Sequence, residues 1–181
     1  TFKKEHYLND GEVVYYNKDW LNELGLSEPK TPAEFAEAAC AATNSTFSGR
    51  VGDTPSLGYE IDTDASNFAA WVFAHGGDVF DYDSGQYILN GPAAVAAMEF
   101  IQGMSNKGCA QVTRDKYADQ QYLGLGSNLF ALSSTSGITY FQSAIEDGYN
   151  GNWEISAVPH TTFEPVMNLY GGGLIMRNTN N

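Results

Sequence analysis

Basic residues are scarce in this chain: Lys and Arg number 9 against 22 Asp and Glu, giving a formal net charge of -13 and a pI near 4.3. Nucleic-acid interfaces are built from basic groups that neutralise phosphates, so a nucleic-acid partner is excluded, and an anionic membrane surface with it. Cysteine is nearly absent, with Cys40 and Cys109 alone. That excludes a disulfide-stapled miniprotein and a four-cysteine zinc site. In a secreted protein such a pair reads as one disulfide, in the cytosol as two thiols, and spacing does not decide between them. No apolar run approaches the ~20 residues that cross a bilayer.

Chemical signatures are missing too. The sequence has no Gly-x-Ser-x-Gly elbow, His-Glu-x-x-His pair, phosphate loop or dinucleotide fingerprint. Its histidines, His6, His75 and His160, lie far apart, so no metal ligand set is written locally. No cofactor is expected. Thr1 opens without an initiator Met or a leader, and the chain is expected to be a piece of a longer protein.

What is present is a domain-sized apolar fraction, 43% of 181 residues, enough for one substantial core. "EVVYYN" is a β-branched and aromatic run that predicts a buried strand, and Asn17 opens a short helix, "KDWLNELGL", that stops at Gly25. Thr31 with Glu34 forms a capping box, Pro32 takes the first helical position, and the helix "PAEFAEAACAAT" follows with Phe35, Ala38 or Ala39, and Ala42 on one face. Residues 44–58 are a loop, "SLGYEI" a strand, and "SNFAAWVFAHGG" a helix ended by its glycines. "DVFDYDSGQYIL" predicts two short strands about an Asp-Ser-Gly turn. Asn90 and Pro92 start a helix whose Val95, Met98, Ile101 and Met104 or Ser105 recur at core spacing, stopping at Gly108.

A polar helix near 115–124, a strand "NLFALSS", a small-residue corner "STSGI", a helix "TYFQSAIEDG", a strand "WEISAVP" and a glycine-rich turn into a last strand, "YGGGLIM", complete the chain. Alternating strands and helices predict an α/β fold with a largely parallel or mixed sheet flanked by helices.

Two acidic clusters invite chemistry. Asp62 to Asn67 imitates half a calcium loop, but Asn67 stands where the sharp-turn glycine belongs and Phe73 where the bidentate Glu belongs. Asp81 to Gly85 is accounted for as a turn. A glycosidase using Asp62, Asp64 or Asp81, or a calcium-binding module, remain as alternative readings.

"YYNKDWLNELGLSEPKTPAEF", followed in order by "WVFAHGGDVFDYDSGQYILNGPAAVAAMEFIQGMSNKG", "NLFALSSTSG", "ISAVP" and "YGGGLIM", resembles the extracellular solute-binding proteins of the family 1 type. The resemblance spans nearly the whole chain. It implies a type II periplasmic-binding-protein-like fold of two α/β lobes, with residues 1–181 forming the second lobe and the first lobe and C-terminal helices lying outside them. It also implies no catalysis: a monomeric extracellular or periplasmic component of an ABC importer, carried on a lipid anchor, that captures a carbohydrate between lobes and passes it to membrane permease subunits. Glycerol 3-phosphate or a related polyol phosphate is the alternative ligand.

The same resemblance places Asp10 at the cleft edge and Asp64, Ser66 and Asn67 at the cleft, where carboxylates and amides suit sugar hydroxyls. A stacking tryptophan carried by sugar-binding members after the small-residue corner is replaced here by Ile138. Ser136 and Gly137 are candidates for a phosphate or hydroxyl at a helix start, or Ser136 simply caps that helix. Gly172 and Gly173 match the family's glycine pair. Trp71 and Trp153 are candidates for stacking or for core, and Tyr15 and Tyr16 for packing.

Overall fold

The computed structural model describes residues 10–113 and 115–170. At its centre is a mixed six-stranded sheet in the order β5-β2-β6-β1-β7, with β8 also beside β1. The strands are β1 (Asp10–Asn17), β2 (Leu57–Ile61), β5 (Ala110–Val112), β6 (Asn128–Ser134), β7 (Trp153–Ser156) and β8 (Leu169–Tyr170). Strand β2 runs parallel to β5 and to β6, whereas β1 is antiparallel to β6, β7 and β8. Mixed α/β architecture is therefore as the alternating pattern predicts.

Strand β1 shows how the sheet acquires two covered faces. Side chains alternate across a strand. Val14 and Tyr16 join the larger core with Phe35, Tyr59, Trp71 and Phe130, while Val13 and Tyr15 join the smaller one with Leu123, Phe141 and Ile145. The larger core is closed by helices α1 (Lys18–Glu23), α2 (Pro32–Thr43), α3 (Ala65–Ala74) and α4 (Pro92–Asn106). The smaller is closed by α5 (Ala118–Gly124) and α6 (Ile138–Asp147). A strand buried on both faces has no polar side to show, which is why "VVYYN" reads as a continuous apolar run.

Local signals act where they are written. The Trp20 N–H donates to Asn17 Oδ1 at 2.9 Å, which caps α1. Glu34 N–H donates to Thr31 Oγ1 at 3.3 Å and Thr31 N–H to Glu34 Oε2 at 3.0 Å, completing the capping box of α2. The hairpin of β3 (Phe80–Asp81) and β4 (Gln86–Tyr87) turns through Gly85 at φ +68°, a left-handed conformation that glycine adopts without steric cost.

Other elements depart from the sequence reading. Helix α4 buries Ala94, Ala97 and Met104, while Val95 and Met98 face solvent. The register turned because α4 approaches its neighbours through alanines, so small side chains take the contact face and larger ones are left outside. Its N-cap is Gly91, not Asn90. Helix α5 begins at Ala118, three residues later than the polar helix expected near 115–124. Strand β5 is too short to leave a pattern. The predicted strand in "YGGGLIM", with Gly172 and Gly173, lies outside the described residues. Cys40 on α2 and Cys109 before β5 are joined in a disulfide with Cα atoms 4.6 Å apart.

Candidate functional site

Ligands of open α/β sheets bind beyond the carboxyl ends of parallel strands. Here β2 and β6 end together, at Ile61 and Ser134, beside the start of antiparallel β1. Beyond that edge lies a concavity of about 810 Å³, walled by the loop into α3, the start of α5 and the corner into α6. Its volume falls in the range of roughly 300–1,000 Å³ typical of small-molecule sites.

Asp64, Ser66 and Asn67 come from the first wall. Asp64 is the N-cap of α3, its Oδ1 accepting from Ser66 N–H at 2.8 Å and Ser66 Oγ at 2.7 Å. Those bonds, the hydroxyl's first, hold the Asp64 carboxyl below the usual range, so it is ionised at neutral pH. Asn67 is buried and donates from Nδ2 to the Leu132 carbonyl at 3.2 Å, tying α3 to β6. Its placement at the concavity is therefore accompanied by a structural duty.

The corner after β6 supplies Ser136 and Gly137. Residues Thr135–Gly137 form a 3-10 turn, and α6 has no side-chain cap. Ser136 thus does not cap the helix; its Oγ lies 2.6 Å from Ser134 Oγ in a hydroxyl pair at the concavity. Tyr15 fixes this corner from beneath, donating its hydroxyl to the Ser134 carbonyl at 2.6 Å. Burial, with the charges of Glu12, Asp10 and Asp119, pushes that hydroxyl's pKa well up, so it stays a donor. Thr135 Oγ1 accepts from Gly11 N–H at 3.1 Å and joins the corner to β1.

Asp10 and Glu12 line the concavity from β1, Glu12 being 3% exposed. Asp119, near the start of α5, is 6% exposed and also lines it. Burial raises the Asp119 carboxyl above the ordinary aspartate range and the charge of Asp62 adds to that, while backbone N–H bonds of Gln120 and of Asp119 itself oppose it.

Six of the residues singled out from sequence, Asp10, Asp64, Ser66, Asn67, Ser136 and Gly137, are brought to this one concavity. The tryptophans are not. Trp71 is 1% exposed within the larger core, and Trp153 packs on Tyr15 with ring centroids 6.0 Å apart. The aromatic groups at the concavity are instead Tyr117, Tyr140 and Phe141, the tyrosines 62% and 66% exposed. Tyr117 also holds a left-handed backbone, φ 65°, a costly conformation for a bulky residue and one found at ligand sites. Asp119 and the tyrosines sit in a polar stretch and a helix start with no periodic signal, so sequence reasoning passed over them.

Among the described residues no group of His, Cys, Asp and Glu side chains is arranged to hold a metal ion. Asp62 to Asn67 is the entry to α3, with Asp64 N–H donating to Asp62 Oδ1 at 3.1 Å.

A model of the family described as bacterial extracellular solute-binding protein matches residues 7–181. The fold is shared with solved structures of low sequence identity. The GacH receptor of Streptomyces glaucescens, solved unliganded and with acarbose, superposes with TM-score 0.74 at 20% identity over 90% of this chain and 41% of that one. UgpB from Mycobacterium tuberculosis, in complex with glycerophosphocholine, gives TM-score 0.72 at 20% identity over 90% of this chain and 39% of that one. A solute-binding protein of an ABC transporter from Agrobacterium radiobacter, in complex with ribitol, gives 0.70 at 18% identity over 94% and 44%. The chain spans roughly two fifths of the length of these structures.

Proposed function

This chain belongs to the bacterial extracellular solute-binding proteins, and from that premise we propose that it is one lobe of a receptor that captures a carbohydrate or polyol and delivers it to an ABC permease. The carrying observation is the concavity at the sheet edge, lined by Asp10, Asp64, Ser66, Asn67, Ser136 and Gly137. Directional acceptors and hydroxyls interleaved with tyrosine faces are the chemistry that polyhydroxylated ligands need. The relatives' bound acarbose and ribitol are of that class.

The concavity is the half of a cleft that this lobe contributes. The rest of the intact receptor, a first lobe and C-terminal helices, closes over the ligand and supplies the opposing contacts. Closure follows when the ligand binds the closed arrangement better than the open one. The receptor works as a monomer outside the cytoplasmic membrane, held by a lipid anchor and without catalysis.

A thermal-shift screen of the intact protein and of residues 1–181 against saccharides, polyols and glycerol phosphates tests this reading. A ligand that binds only the folded state raises the Tm by mass action, about 2.7 kcal/mol of stabilisation at a hundredfold excess over Kd. The expected result is a shift in the intact protein with a much smaller one for residues 1–181. Turnover of a chromogenic glycoside, abolished by Asp64→Asn, would replace binding with hydrolysis.

A further inference from the structure

One wall of the concavity continues from the outermost strand of the sheet. Strand β5 pairs with β2, through Tyr59 with Ala110, Glu60 with Gln111 and Ile61 with Val112, and among the described residues no strand covers its other side. The chain leaves it at Thr113 and reaches the concavity at Lys116, Tyr117, Asp119 and Gln120. The wall that carries Asp62 and Asp64 continues from β2 in the same way. The β2–β5 ladder therefore sets where both walls start. Three residue pairs at a sheet edge are a weak hold on their own.

That hold is reinforced from upstream. Cys109, buried and directly before Ala110, is bonded to Cys40 on α2, and its carbonyl accepts from Tyr59 N–H at 3.2 Å. Helix α2 is itself fixed, by its capping box and by Ala39 resting on Gly58 of β2. Downstream, Thr113 N–H donates to the Ile61 carbonyl at 3.1 Å, and Thr113 Oγ1 accepts from Asp115 N–H at 3.2 Å. Tyr117 follows with its left-handed backbone. A bulky residue keeps that conformation only where the surrounding chain over-determines it. On one side α5 does so, with Leu123 set in the smaller core; on the other the support is β5, with the disulfide behind it.

We infer that Cys40 and Cys109 are positioning residues for the solute site: their disulfide locks β5 to α2 and thereby holds the wall of Lys116 and Tyr117 in the shape that meets solute. This rests on the reading of the concavity as the solute site. Neither sulfur lines the concavity, so the disulfide acts through the strand and not by contact. Without it the edge strand opens locally, and the apparent affinity falls to the fraction of time the wall is in place.

The test compares the intact protein with its double variant Cys40→Ser, Cys109→Ala, by calorimetric titration with glucose, maltose, ribitol and glycerol 3-phosphate and by amide hydrogen exchange, at a temperature where both forms are fully folded. For each probe that binds, the variant is expected to bind about tenfold more weakly, as for a wall in place about a tenth of the time. Exchange is expected to quicken in residues 110–113 and 115–120 and to stay unchanged in β6. Leu21→Ala, which truncates a buried side chain of α1 in the same core but away from β5, is expected to lower the Tm and leave the Kd unmoved. Thr113→Val, with the disulfide intact, breaks the next tie along the same path and is expected to weaken binding severalfold; it decides the matter if the double variant does not fold. Affinity that falls only in step with Tm, in Leu21→Ala as in the double variant, overturns the inference. So does a double variant whose Kd stays within about twofold of the parent's; both results leave the solute site standing. A parent protein that binds none of these probes removes the solute-site reading and the inference together.

Discussion

Asp119 lines the concavity at a cost in stability. Because its folded-state carboxyl is raised, chiefly by burial, the folded chain holds that proton more tightly than the unfolded chain does. The resulting stabilisation is complete below the unfolded value of about 3.9 and is lost as pH rises through the raised folded value. The charge of Asp62 pushes in the same direction, and Glu60, Tyr15 and Tyr59 feel the charge of Asp119 in turn. Asp119→Asn is therefore expected to raise Tm at pH 7 by a few degrees, with the gain vanishing toward pH 4; roughly 2–4 °C corresponds to 1 kcal/mol in a chain of this size. Scanning calorimetry across that pH range checks it, and a gain that persists at pH 4 would mean the charge is not its source. At this scale the sequence was legible where a residue had a positional signature. Asp64, Ser66 and Asn67 sit at a helix entry next to a strand end, and the structure puts them at the concavity. Trp71 stood open between stacking and core because size and aromaticity do not say whether a ring faces a core or a cavity, and the structure puts it in the core; Tyr117 was hidden because a left-handed backbone leaves no composition signal.

Elements were legible in proportion to their caps. Helix α2, with a capping box and a leading proline, was recognisable to the residue, whereas the buried face of α4 was not, because alanine carries too little hydrophobicity to mark a face. Close packing of this kind also governs β2. A Cβ at Gly58 would lie 2.1 Å from the Ala39 carbonyl oxygen, so α2 rests directly on the strand backbone. Gly58→Ala is expected to cost about 1–3 kcal/mol, read as a lower midpoint in urea. The disulfide joins these same neighbours, since Cys40 is on α2 and Cys109 precedes β5, at a sequence separation of 69. Removing it as Cys40→Ser with Cys109→Ala is expected to cost about 2–4 kcal/mol by releasing a long loop in the unfolded chain. An unchanged midpoint under reducing conditions would show that packing of α2 alone secures the edge strand.

At the scale of the whole molecule, the sheet gathers scattered sequence into one place. Positions from 10 to 141 meet at the ends of β1, β2 and β6, and no linear motif announces that meeting. Alternating elements made the α/β class readable, but strand order is set by long-range pairing, and the antiparallel insertion of β1 between β6 and β7 is visible in structure alone. The central claim is that this meeting point is where solute is held. Amide hydrogen exchange of the intact protein, with and without a saturating ligand from the thermal-shift screen, tests it most directly. Protection concentrated in residues 62–67, 115–120 and 132–140 is the predicted result; protection that leaves all three segments unchanged would contradict the account.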